Sequence, residues 1–361
     1  MQPQQAFWSA SESFRLAGAS FARNFGSPFL ENFYATVAAD PALVELASHA
    51  RPGQHVHFLF HAVLHYLLLR QPDAALAAFY PSIAPHPAPA DAMGPALRTF
   101  CLENADAIRT ELAQRTIQTT VVNRAAYYLL AVAHASAAAA GAPLALVELG
   151  PSAGLNLLFD RYRYDFGTGS AFGDAGAPLT VTPNFRGAVP TPPAEMPRLS
   201  ARIGIDLNVI DLAREADRLW LLAVLPPDWS DERCMVQAAM DYRVAQPLDI
   251  RQGDAVALLP RVSAELDGDL CILHSACINY WPIPAREQFE LWLRDTSRIR
   301  TVHRLSMEQP SPIPAQDRAK VERGEVLPYE IAHSVYRAGS LERRDLLGRC
   351  DSFARWIEWY G

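Results

Sequence analysis

Between Leu144 and Asn156 the chain passes from a short apolar run into a turn holding two glycines. Leu144-Ala145-Leu146-Val147-Glu148-Leu149 is bounded before by Gly141-Ala142-Pro143 and after by Gly150-Pro151-Ser152-Ala153-Gly154. An apolar run of this length between such breakers predicts a strand buried on both faces, the kind found in parallel sheets covered by helices. Leu155 to Tyr162 then carries a helical pattern. Strand, glycine turn and helix in that order leave backbone N–H groups around a crevice at the carboxyl edge of a sheet, where open α/β proteins take their ligands. The expected fold class is therefore α/β.

The two sides of this segment differ in texture. Before it, apolar residues recur at spacings of three and four over Phe14 to Phe25 and Phe29 to Val37. Asp40-Pro41 supplies a cap and a first-turn proline for another helix. Further helices are expected over His55 to Leu69, Met93 to Ala113 and Val121 to Ala140, with Pro81 to Pro89 a loop. After it, Leu248 to Arg251, Asp269 to Leu273 and Ile299 to Leu305 read as strands. The first two precede helical patterns at Ala255 to Leu266 and Ala285 to Trp292. Thr168 to Pro197 is rich in Gly and Pro and reads as an insertion, and Glu330 to Leu347 reads as a hairpin turning at Ala338-Gly339-Ser340. Two domains are expected: a helical one over 1–140 and a sheet-bearing one over 141–361.

Composition narrows the function classes. The 361 residues carry 32 basic and 39 acidic side chains, a net charge of −7, which argues against a general grip on nucleic acid. The five cysteines are odd in number and none stands in a C-x-x-C pair, so neither a disulfide framework nor a zinc knuckle is expected. The start of the chain lacks the basic, then purely apolar pattern of a signal peptide, and the most apolar run, Phe58 to Leu69, is too short to span a bilayer. The expectation is a cytoplasmic protein with no membrane partner. His57, His61 and His65 share a helical face, but on so apolar a helix they read as a buried stripe, and no metal is expected.

The turn admits more than one chemistry. Gly150-Pro151-Ser152-Ala153-Gly154 matches the G-x-S-x-G nucleophile elbow, with Asp254 and one of His274, His303 or His333 as partners for Ser152. Against a serine hydrolase, no strands are expected before Leu144 and no oxyanion-hole segment precedes the turn. An NAD-type G-x-G-x-x-G fails because Ser152 and Leu155 stand where glycines are required.

The chain also resembles an uncharacterised bacterial domain family related to class I S-adenosylmethionine (SAM) methyltransferases. The resemblance is carried by Arg115 to Arg124, Val147 to Leu157, Asp160 to Tyr164, Arg202 to Leu207, Arg251 to Asp254 and Leu273 to Ala276. It implies a Rossmann-like class I methyltransferase sheet behind an N-terminal all-helical domain, SAM as cofactor and a small molecule as methyl acceptor. In that family's loop, acid-x-Gly-x-Gly-x-Gly, Glu148, Gly150 and Gly154 fill the acid, first and third glycine positions and Ser152 replaces the second. The resemblance implies cofactor contacts at Glu148, Gly150, Ser152, Gly154 and Asn156. It implies an adenine-binding carboxylate at Asp254, for which a helix cap is the alternative. The acid expected after the second strand is replaced by Asn184 if Leu179 to Asn184 is that strand. His274, after the fourth strand, is the candidate general base. Gln118, Asn123 and Arg124 just before an apolar helix, and Tyr280, are candidate substrate contacts, with Arg124 as an anion clamp.

Overall fold

The computed structural model describes residues 10–20, 24, 26–322 and 326–361. The expected helix over Phe14 to Phe25 is seen as α1, Ala10–Ser20; its remainder at 21–23 and 25 lies outside the described residues, as do residues 1–9 of the signal-peptide argument. Six more helices precede the sheet: α2 (Pro28–Ala39), α3 (Pro41–Ala47), α4 (Val56–Leu69), α5 (Gly94–Glu103), α6 (Ala105–Gln114) and α7 (Ala125–Ala138). Their starts follow local chemistry. The Ser27 hydroxyl accepts from Leu30 N before Pro28, and Asp40 accepts from Ala42 N before Pro41, pairing a cap with a first-turn proline each time. The helix expected over Met93 to Ala113 breaks at Asn104 into α5 and α6.

Helix α4 is buried from Phe58 through Leu68, on all sides, so it lies inside a helical core rather than on its surface. That core joins Phe14, Phe33, Tyr34, Phe60 and Leu64 to Trp220 and Val224 of α8 (Glu215–Ala223) and its end, and to Trp229 just before α9 (Ser230–Val244). Helices from both sides of Leu144 thus share one apolar core.

The sheet has eight strands. In chain order they are β1 (Leu144–Leu149), β4 (Leu199–Asp206), β5 (Asp249–Gln252), β6 (Leu270–Ser275), β7 (Val302–Glu308), β8 (Tyr329–Arg337), β9 (Ser340–Cys350) and β10 (Ile357–Trp359). Across the sheet the order is β10-β9-β8-β7-β6-β1-β4-β5. The five strands from β5 to β7 are mutually parallel, and β8, β9 and β10 add antiparallel edges. The protein is a mixed α/β structure built on a large, mostly parallel sheet. On the α7 side, Leu144, Leu146, Leu273 and Leu305 form one core. On the other side, Val147, Ile272 and Leu293 pack with α10 (Ala255–Ala264) and α11 (Ile283–Thr296). No helix of the described residues is long and apolar enough to cross a membrane.

Two expectations are corrected here. Leu155 to Tyr162 is not an α-helix: Asn156–Arg161 forms 3-10 turns with a non-helical Leu158. Tyr162 and Tyr164 donate their hydroxyls to Leu155 O and Phe159 O, taking up carbonyls of this segment, while Leu155, Leu157, Leu158 and Phe159 are packed into the core. Nor is Leu179 to Asn184 the second strand of the sheet. Its core, β3 (Thr180–Val181), pairs only with β2 (Arg163–Tyr164) in a separate ribbon. The strand beside β1 is β4, reached after the Gly- and Pro-rich insertion.

Candidate functional site at the first turn of the sheet

Strand β1 lies between β4 and β6, and the chain leaves its carboxyl end through the glycine turn. β4 and β6 belong to opposite directions of strand succession, so the turn stands where crossovers diverge, the position at which open α/β sheets take their ligands. Gly150 and Gly154 have φ of +76° and +73°, and Ser152 joins them at +55°. A Cβ on Gly150 would stand 2.8 Å from Cys277 Sγ, and one on Gly154 would stand 2.7 Å from Ile250 Cδ1. Conformation and space both require glycine at these two positions. Gly150→Val is therefore expected to cost about 2–5 kcal/mol in urea denaturation, from left-handed strain plus overpacking. Wild-type stability in this variant would show that the turn can yield.

Two carboxylates frame the turn. Glu148 points to the α7 side, 3% exposed, and its Oε1 accepts from the Tyr128 hydroxyl at 2.6 Å. Its Oε2 is buried without a hydrogen-bond partner among the described residues. Burial pushes this carboxyl up to about 7; the Tyr128 bond opposes the rise and the neighbouring Asp206 adds to it. Asp206 ends β4. Its Oδ2 accepts from Ser152 N at 2.8 Å, and its Oδ1 from Asn208 N at 2.9 Å and Gln118 Nε2 at 3.2 Å. Burial raises the Asp206 carboxyl too, against the two backbone N–H bonds. Asp206, not Asn184, is thus the acid at the end of the strand next to β1. Asn184 is exposed in a loop whose backbone oxygen accepts from Ile357 N, which removes it from the site. The sequence signal for Asp206 was the alternation of Arg202 to Asp206 ending in an acid, masked because Leu179 to Val181 has the higher β-propensity.

The polar segment before α7 closes over this turn. Gln118 also donates to Asn208 O, and the Thr120 hydroxyl donates to Ser152 Oγ at 3.0 Å. Asn156 donates to Val121 O, while its Oδ1 is buried without a partner. Arg124 is 7% exposed and donates to Ser275 Oγ, at 3.1 Å, and to Ser352 O; its Nε is buried and unpartnered. Tyr127 bonds Ser275 Oγ at 2.6 Å. Asn123 lies beside Thr120 and lines a small cavity with Trp229 and Phe353. Gln118, Arg124, Glu148, Ser152 and Asn156 are brought together; Tyr127, Tyr128, Ser275 and Asp206 were not foreseen.

The remaining sequence candidates make no hydrogen bond to this group among the described residues. Asp254 caps α10 by accepting from Ala257 N at 2.9 Å, the alternative reading of that residue. Tyr280 is 60% exposed and meets the His55 ring edge-on. His274 is fully buried on the opposite face of the sheet from Glu148, where it meets Phe289. Its Nε2 accepts from Arg304 Nε at 3.0 Å, so its proton sits on Nδ1, donated to Glu308 Oε1 at 2.8 Å. Burial lowers its basicity against the pull of Glu308. With both nitrogens committed, His274 does not fit the general-base role expected of it. The hydrolase triad fails for the same kind of reason. Ser152 is bonded to Thr120, Asp254 is a cap, and His303 and His333 bond each other at 3.0 Å.

The chain matches no curated protein and no solved structure. A family model described as an uncharacterized protein conserved in bacteria (DUF2332) matches residues 11–359, nearly the whole chain, and the protein belongs to that family.

Proposed function

We propose that the protein is a SAM-dependent methyltransferase acting on a small molecule, with the cofactor held at the turn between β1 and β4 on a Rossmann-like sheet. The reading is carried by one observation. Two buried carboxylates, Glu148 and Asp206, end adjacent parallel strands on either side of a glycine turn, and Glu148 Oε2 has no partner. Buried polar atoms are normally satisfied, so an orphaned carboxylate oxygen marks a place for a donor. The donor set suits the cofactor's parts. Glu148 Oε2 and Asn156 Oδ1 would take the ammonium of the amino-acid tail, Arg124 Nε its carboxylate, and Asp206 the ribose hydroxyls. When bound, SAM supplies an electrophilic methyl group. The chain's own contribution is to orient and to exclude water: Tyr128 packs on Glu148, and Tyr127 and Arg124 on Ser275, at the carboxyl ends of β1 and β6. The net charge of −7 and the five free cysteines support a small-molecule substrate and a cytoplasmic location.

A second reading is a protein that binds the same nucleoside without transferring a group. The commitment of both His274 nitrogens favours it. Calorimetric titration with SAM and S-adenosylhomocysteine tests what the two share. Saturable binding that Asp206→Asn weakens about tenfold or more is the expected result. A folded wild type that binds neither ligand overturns both.

A further inference from the structure

We propose that His134, His333 and Asp345 form a binding site for Zn²⁺ or a similar borderline dication, clipping α7 to the β8–β9 hairpin. This site lies ten residues beyond Arg124 at the other end of α7, about 15 Å away at the rise of a helix, and does not rest on the cofactor reading. His134 stands in the last turns of α7, His333 in β8, and Asp345 directly opposite His333 in β9. One donor atom from each lies within 4.8 Å of the other two. His134 Nε2 and Asp345 Oδ2 are 3.4 Å apart, the edge of a tetrahedron with bonds of about 2.1 Å, the length Zn²⁺ makes to nitrogen and oxygen. Two imidazoles and a carboxylate suit Zn²⁺ rather than Mg²⁺ or Ca²⁺, which take oxygen alone.

Independent support comes from His333. Its side chain is fully buried, its Nε2 meets His303 Nδ1 at 3.0 Å, and its Nδ1 is buried without a partner. The unpaired nitrogen of His333 is therefore the one left to ligate. Behind it, His303 Nε2 stands 3.7 Å from Asp269 Oδ2. His303 braces the ligating histidine from behind by accepting its second N–H, and the Asp269 carboxylate stands near the far side of His303 as a charge rather than a hydrogen-bond partner. One group opposes the ion. Arg343 Nε lies 2.9 Å from Asp345 Oδ2, but its side chain is half exposed and free to turn into solvent. His134 and Asp345 are each 31% exposed, which leaves the ion a way in and a place for a fourth ligand.

The test uses the full chain stripped with chelator and titrated with ZnCl₂ by calorimetry, and with Co²⁺ by visible absorption. One ion per chain, a raised Tm and the intense bands of four-coordinate Co²⁺ are expected. His134→Gln and Asp345→Asn are both at the half-exposed rim, so folding is expected to survive. Each should weaken binding by more than about tenfold. No saturable binding by the wild type, or binding that persists in both variants, overturns the proposal.

Discussion

Glu148→Gln is expected to make the protein more stable at pH 8, by about 3 kcal/mol, while abolishing SAM binding. The stabilisation follows from the buried carboxyl being pushed up from 4.5 to about 7. Below 4.5 the carboxyl is neutral in folded and unfolded chains alike, and its protonated form carries no penalty. As pH rises from 4.5 to 7 the unfolded chain releases its proton and the folded chain keeps it, so stability falls. Above 7 the charged form sits buried at full cost. Glutamine keeps the Tyr128 hydroxyl bonded and carries no charge. The Tm difference between variant and wild type should thus be near zero at pH 4, grow through pH 7 and then level at several degrees. Equal melting at pH 4 and pH 8 would show that Glu148 is not held against ionisation. The same logic gives the ligand a sign: an ammonium needs the ionised carboxylate, so wild-type affinity for SAM should rise as pH climbs through 7. A residue that is worse for stability than its neutral isostere is what a binding site, rather than a packing site, retains.

Glu308→Ala is expected to have the opposite effect, a loss of about 3–5 kcal/mol at neutral pH. Glu308 ends β7 and gathers the loop after β6. Its Oε1 accepts from His274 Nδ1 at 2.8 Å and from Cys277 N and Ile278 N at 3.0 Å each, and its Oε2 accepts from Asn279 N at 3.3 Å. Truncation strands all four donors in a buried loop. Burial pushes the Glu308 carboxyl up, but the His274 bond and the backbone N–H groups outweigh it and hold the carboxyl below its ordinary value. Its stabilisation is therefore present above 4.5 and lost as pH falls through the lower, folded value. Urea denaturation at pH 7.5 measures the loss, and a deficit under 1 kcal/mol would remove Glu308 as the clamp of this loop. Because Cys277 packs on Gly150, loosening the loop should also weaken ligand binding at the turn.

The two glutamates show what could be read before the fold was known. Glu148 was legible because everything that marks it is local: an apolar run, breakers on both sides and an acid two residues before a glycine. Glu308 carried only a strand's end as a signal, and its four bonds come from residues about thirty positions earlier. His274 was placed correctly after a strand, yet its neighbours, Arg304 and Glu308, decide its chemistry, and no spacing in the chain reveals them.

Local chemistry determined the caps at Ser27 and Asp40, the all-buried strand at Leu144, the turn that needs Gly150 and Gly154, and the hairpin at Ala338-Gly339-Ser340. These rest on contacts within a few residues, so propensity and periodicity suffice. Tertiary structure alone decided that β4 rather than β3 lies beside β1, which moves the second carboxylate from a loop near Asn184 to Asp206. It also decided that Leu155 to Tyr162 gives up its helix for 3-10 turns whose carbonyls bond the Tyr162 and Tyr164 hydroxyls, and that His134, His333 and Asp345 meet. Those outcomes depend on which strands pair and which side chains are enclosed together. Both are set by long-range burial, which a one-dimensional pattern does not encode.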